Sequence, residues 1–297
     1  MKNSNKFFIN HEPNKNKKYI GVTNKPLSTK KFTYLKTTHS YHLVDPSPWP
    51  FVGAFGGFML TLGGVLYLHK FSGGYNLFLT GFLTVLFVMY AWWRDIVREA
   101  TFEDVHTATV QRGLKLGVAL FITSEVMFFF AFFWAFFHSS IAPSHTIGGV
   151  WPPKAITTIS AYTIPLTNTI ILLTSGAAVT WAHHAVILRA KRHAIVALII
   201  TILLAILFTG LQRYEYINAP FNISDGIYGS CFYVTTGFHG LHVIIGTIAL
   251  FISLIRLVLN HFTNTRHLGF EAAIWYWHFV DIVWLFLFIN LYWWSNK

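Results

Sequence analysis

Glu125 is the residue in this sequence whose position most demands a chemical reason. It sits in Phe121-Ile122-Thr123-Ser124-Glu125-Val126-Met127-Phe128-Phe129-Phe130, an apolar run with no basic residue within two helical turns. Hydrocarbon favours the neutral acid over the carboxylate, so an isolated carboxyl there needs a partner or a task. Two readings are open. It is a carboxyl that exchanges protons and reacts with hydrophobic carbodiimides, or a neutral carboxyl bonded to a nearby Ser or His purely for packing.

Histidines are the next candidates. His239 and His242 stand three residues apart, so on a helix they share a face, and their imidazoles could converge on one metal or one carboxylate. His183 and His184 are adjacent, point about 100° apart on a helix, and cannot do so together. Glu271, His278 and Asp281 fall on overlapping faces; the His278/Asp281 pair reads as helix-bundle glue or as a proton relay. No third or fourth ligand is spaced to close a shell around these histidines, so no metal site is expected, and membrane histidines ordinarily bond across helices. Single histidines on facing helices keep a haem-bearing membrane oxidoreductase in view. Cys231 is the only cysteine. A disulfide framework, a cysteine zinc site and an iron–sulfur cluster are therefore excluded, and Cys231 reads as a packed small residue.

Such residues need a scaffold, and the composition names it. Of 297 residues 54% are hydrophobic and only 11% charged, against roughly 45–50% apolar in a soluble domain. A bilayer core of about 30 Å demands roughly 20 apolar residues per helix, because lipid offers no partner to an unpaired backbone group. Seven such stretches occur, at about 49–70, 75–93, 114–138, 164–187, 194–214, 229–258 and 271–294, predicting an all-α polytopic membrane protein. Proline and glycine fall between them, as in Pro46-Ser47-Pro48-Trp49-Pro50 and Gly148-Gly149-Val150-Trp151-Pro152-Pro153. Trp92-Trp93 and Trp293-Trp294 sit where interfacial indoles belong. Gly53, Gly57, Gly63 and Gly64 give the first stretch a small-residue stripe suited to close helix packing. No inverted repeat or helix broken mid-membrane is apparent, which weighs against a proton-coupled transporter.

The charge of +11 suggests nucleic acid until the charges are located: nine of the 22 Lys and Arg lie within residues 1–38. That is a basic tail rather than a nucleic-acid surface. With Glu12 its only acid, no Arg and no sustained apolar face, it reads poorly as a transit peptide and better as a retained arm ordered by neighbouring proteins. Assigning alternate loops to opposite sides puts 18 of the 22 cations on the N-terminal side, Arg94, Arg98, Arg112, Lys115, Arg189, Arg256 and Arg266 among them. The positive-inside rule then places the N-terminus inside and the C-terminus outside.

Several segments together resemble one family. They are Tyr41-His42-Leu43-Val44-Asp45-Pro46-Ser47-Pro48-Trp49-Pro50, Trp92-Trp93-Arg94-Asp95, Ser124-Glu125-Val126-Met127-Phe128, Trp134-Ala135-Phe136-Phe137-His138-Ser139-Ser140, Trp151-Pro152-Pro153, Thr180-Trp181-Ala182-His183-His184, Thr236-Gly237-Phe238-His239-Gly240-Leu241-His242 and Gly269-Phe270-Glu271 through Trp277-His278-Phe279-Val280-Asp281. In order, and without large gaps from about 39 to 294, they are similar to subunit III of cytochrome c oxidase in its mitochondrial form. The resemblance implies a seven-helix domain over 39–297 behind an extension at 1–38. Helices 1–2 (about 49–93) would stand apart from helices 3–7 (about 114–294), leaving a V-shaped cleft that holds phospholipids against the catalytic subunit I.

By the same resemblance this chain carries no haem or copper, which reside in partner subunits. Trp93, Arg98, Glu99, His106, Arg256 and His261 would lie near lipid headgroups, and Glu125 corresponds to the family's carbodiimide-reactive glutamate. His239, His242, His278 and Asp281 would be structural polar residues, and no residue of the chain catalytic. The complex passes electrons from cytochrome c to oxygen and pumps protons in the mitochondrial inner membrane. This subunit would protect subunit I from turnover inactivation and keep proton uptake fast. Its N-terminus would face the matrix and its C-terminus the intermembrane space; its tail would meet supercomplex neighbours, and no nucleic acid is a partner. Glu99, Glu103, Asp104 and His106 would be either proton-collecting groups or a solvated loop. Two departures stand out: an N-terminus some 30 residues longer than usual, and Val105 in place of the first histidine of the common His-His-Thr loop, before His106-Thr107.

Overall fold

The computed structural model describes residues 39–103 and 105–296, the last by its backbone alone. The expected extension over residues 1–38, Asp104 and Lys297 lie outside the described residues. Among those described the chain is all-helical, with seven α-helices: α1 Trp49–Leu68, α2 Gly74–Thr101, α3 Ala108–Ile141, α4 Ile164–Ile187, α5 Lys191–Asn218, α6 Gly226–Val258 and α7 Leu268–Leu287. A π-helical run over Phe288–Trp293 continues α7 and ends in a short 3-10 turn. All seven are long and apolar enough to cross a membrane.

The order matches the sequence reading, but α2, α3 and α5 outrun it. Hydropathy marks only the part of a helix that hydrocarbon solvates. Backbone hydrogen bonding propagates further, through Arg94, Asp95, Arg98 and Glu99 in α2 and through Gln212 to Asn218 in α5. Local chemistry sets the starts. Pro50 and Pro165 occupy the first turns of α1 and α4, where a missing N–H costs nothing. Gly73 precedes α2 at φ 83°, a left-handed conformation that a residue without Cβ adopts freely.

The chain forms two compact units, whose border falls between Leu114 and Lys115 in α3. The first is essentially the α1/α2 hairpin. Its helices meet through glycine: a Cβ at Gly63 would land on the Phe78 backbone, one at Gly81 on the Leu60 backbone, and one at Gly74 lies 2.5 Å from Tyr67 N. The small-residue stripe expected on α1 is thus corrected in detail. Gly63 and Gly53 face α2 while Gly57 faces open space, and Gly56, Gly74 and Gly81 complete the contact. A stripe names residue sizes, whereas the helix phase decides which of them meet the partner.

The second unit holds α4 to α7 and most of α3. Its core packs Trp277, Trp284 and Tyr292 from the last helical segment against Phe208 of α5, Phe232 of α6 and Leu172 of α4. Indole N–H groups inside this core are satisfied across helices: Trp277 Nε1 donates to Ser175 Oγ at 3.0 Å, and Trp284 Nε1 to Thr169 Oγ1 at 2.9 Å. The outer surfaces stay apolar, with Leu203, Trp134 and Phe51 all exposed, as expected of helices solvated by hydrocarbon.

Candidate functional site

Within the five-helix unit, Glu125 of α3 and His242 of α6 form one acid–base pair, with Glu125 Oε2 2.9 Å from His242 Nε2. The other ring nitrogen fixes the tautomer. His242 Nδ1 donates to the Phe238 carbonyl at 2.6 Å, so Nε2 of a neutral ring accepts a proton from the Glu125 carboxyl. The alternative is an imidazolium donating to a carboxylate. Both arrangements are neutral overall, which is what a low-dielectric site requires. The rings of Phe128, Phe129, Tyr276 and Phe279 surround the imidazole. The side chains retain only 22% exposure for Glu125 and 9% for His242.

The convergence that the shared face of His239 and His242 leaves open does not occur. Buried His239 turns to α7, its Nε2 lying 3.2 Å from the Val280 carbonyl, while His242 turns to α3. Their shared face lies between two neighbours, and each imidazole takes a different one. Glu271 likewise separates from His278 and Asp281. It pairs with Lys115 Nζ at 2.6 Å, and His267 Nε2 lies 3.4 Å away. His278 Nδ1 stands 3.7 Å from Asp281 Oδ2, an electrostatic contact rather than a hydrogen bond, and its Nε2 is 3.2 Å from Thr180 Oγ1. Gly176 makes room for Asp281: a Cβ there would lie 2.5 Å from Oδ2.

At the cationic end of the hairpin, Trp49 Nε1 donates to Asp95 Oδ2 at 2.6 Å, and Arg94 Nε donates to Oδ1 at 2.9 Å, tying the start of α1 to the last turns of α2. Arg98 pairs with Glu103 at 2.8 Å on the surface. Glu99, His42 and His106 bring three ligand-type atoms within 4.8 Å of one another, the two imidazoles edge to face at 5.4 Å. Exposed Trp93 lines a groove of about 620 Å³ with Trp92, Ile96, Met89, Val88 and Pro50. Arg256 and His261 belong to the other unit, at the end of α6. The Arg256 guanidinium lies 4.5 Å from the centre of the Phe262 ring, a cation–π contact. Burial, and after it the Arg256 charge, hold His261 below the ordinary imidazole value.

Two residues escaped sequence reasoning. Glu215 of α5 is buried, accepting from Tyr292 OH at 2.6 Å and Gln212 Nε2 at 3.2 Å. A helix ended at 214 hid it; the i,i+3 spacing of Gln212 and Glu215 was its only local signal. His267 was missed because it precedes α7, yet its Nε2 lies 3.3 Å from that of His183.

Residues 39–296 match the family model described as cytochrome c oxidase subunit III. Among relatives named cytochrome c oxidase subunit 3, that of Prototheca wickerhamii is 60% identical over 258 residues, covering 87% of this chain and 98% of the relative. That of Pylaiella littoralis is 61% identical over 257 residues, 86% of this chain and 94% of the relative. That of Arabidopsis thaliana is 60% identical over 258 residues, 87% and 97% respectively. The match takes in every one of the seven spans, and the chain belongs to the cytochrome c oxidase subunit III family.

Proposed function

We propose that this chain serves cytochrome c oxidase from a supporting position. It stabilises the redox-active subunit I, holds phospholipids against it, and helps protons reach it. As a multi-pass subunit of the proton-pumping oxidoreductase of the mitochondrial inner membrane, it associates with other oxidase subunits. Subunits of its family are not the metal-binding ones; electrons therefore run through haem and copper of its partners. The cationic ends of the helices face the matrix, with the N-terminus on that side, and the basic residues 1–38 meet neighbouring proteins in larger assemblies.

The single observation that carries the lipid role is the end of α2. An apolar groove lined by Trp93 and Ile96 suits an acyl chain, and exposed Arg98, two residues beyond Ile96, supplies a cation at the depth of an anionic headgroup. Glu99 and His106 add groups able to share a proton beside it. In the five-helix unit Arg256 and His261 would offer a second headgroup position. Glu125, with His242 as proton partner, is the carboxyl that hydrophobic carbodiimides would modify.

The test is a set of oxidase complexes carrying Arg98→Ala or Trp93→Ala. Each should retain less phospholipid on purification and inactivate sooner during turnover, with the initial rate of oxygen reduction little changed. Unaltered lipid content together with unaltered lifetime would reject the reading. Glu125→Gln should abolish carbodiimide labelling and leave assembly intact; labelling that persists would place the reactive group elsewhere.

A further inference from the structure

We propose that the groove between α4 and α7 seats a transmembrane helix of another oxidase subunit, one that brings a serine or threonine hydroxyl to the Asp281 carboxyl near the middle of the membrane. The inference rests on membership of the oxidase and is independent of the lipid role. The groove has a volume of about 560 Å³, and Leu173 and Ala177 of α4 and Ile282 and Leu285 of α7 form its apolar part. Its polar members are Thr180, His278 and Asp281.

The polar members are short of one hydrogen-bond donor. Thr180 Oγ1 donates to the Gly176 carbonyl at 2.9 Å, so toward His278 it accepts, and Nε2 is the protonated ring nitrogen. His278 Nδ1 then faces Asp281 Oδ2 at 3.7 Å, beyond hydrogen-bond range. Asp281 Oδ1 is buried and finds no partner among the described residues. A carboxyl only 7% exposed is therefore left without a hydrogen bond, beside an imidazole whose side chain is 40% exposed on the outside of the bundle. In hydrocarbon such groups cost several kcal/mol unless something covers and satisfies them.

Depth and shape identify the cover. Asp281 stands 13 residues after Leu268 and 12 before Trp293, the ends of its span, and Gly176 is equally central in Ile164–Ile187. At about 1.5 Å per residue the carboxyl lies about 18–20 Å from either end, out of reach of headgroups at the edge of a core about 30 Å thick. The walls follow helical rows: Leu173 and Ala177, like Gly176 and Thr180, are four residues apart on α4, and His278 and Ile282, like Asp281 and Leu285, on α7. The side-chain ridge of a third helix packs into such a groove, and Gly176 and Ala177 let its backbone come close. A hydroxyl on that ridge supplies the missing donor without adding charge.

The test is a high-resolution map of the intact oxidase. It should show a helix of another subunit along the groove, with a serine or threonine oxygen within hydrogen-bond distance of an Asp281 carboxyl oxygen. Acyl chains, a quinone, a second copy of this chain, or a helix without that hydroxyl in the groove would each overturn the proposal. Asp281→Leu should raise the share of purified complexes lacking the partner subunit about tenfold, as a loss of about 1.4 kcal/mol does, whereas Asp281→Asn, which keeps an acceptor, should retain it. Equal retention in both variants would also overturn it. Should Asp281→Leu fail to assemble, the map of the wild-type complex decides alone.

Discussion

The pair between Glu125 and His242 makes a prediction whose sign pattern is unusual. Replace Glu125 with Leu, and His242 Nε2 faces rings and methyl groups with no partner. Replace His242 with Leu, and the carboxyl is left instead. A 2.9 Å contact sets a Coulomb ceiling of about 6 kcal/mol at an effective dielectric near 20. Net values are smaller, because hydrogen bonds in membrane proteins average about 0.6 kcal/mol and reach about 1.7, while those involving charged groups reach about 1.5–3 kcal/mol. With one side chain 9% and the other 22% exposed, each single variant should cost about 2 kcal/mol. The double variant should cost less than either, because removing both partners leaves an apolar contact and no stranded polar group. The coupling is then more than about 2 kcal/mol, over roughly a 30-fold factor in an equilibrium constant. Glu125→Gln, whose amide still donates to Nε2, should cost under about 1 kcal/mol. The assay is detergent or heat titration of the four assembled complexes, scoring retention of this subunit. A double variant that loses as much stability as either single variant, or more, would refute the reasoning.

Other consequences are quicker to state. Gly63→Ala should weaken the α1/α2 hairpin by about 1–3 kcal/mol, since its Cβ meets the Phe78 backbone, whereas Gly57→Ala should be neutral in the same thermal titration. Tyr292→Phe removes the donor that reaches Glu215 and should cost about 1–2 kcal/mol, seen as a lower melting midpoint; an unchanged midpoint would mean that Glu215 finds another donor. His261 is held below its ordinary value of 6.5, so between its folded and unfolded values the unfolded chain binds a proton that the folded chain does not, and stability is lost as pH falls through that window. Stability is therefore full above about pH 6.5 and declines as pH falls below it. His261→Gln should flatten that decline in pH-dependent melting.

How much was legible in the sequence follows from the range of each force. Solvation by hydrocarbon acts on every residue separately, so counting apolar residues located all seven helices and, with the quoted motifs, the family. Helix ends were less legible. Backbone hydrogen bonds carry α2 and α5 past their apolar stretches, and this is why Glu215 went unnoticed. Glu125 was legible as a residue needing a partner, because no basic residue lies within two turns of it. That the partner is His242, 117 residues away, depended on the approach of α3 to α6. In the same way helical periodicity put His239 and His242 on one face, and only packing sent one to the α7 backbone and the other to α3. The meeting of His183 with His267 and Glu271 was beyond any spacing rule. It is made by the end of one helix meeting the start of another, and hydrogen bonds act only over the few ångströms that tertiary contact provides.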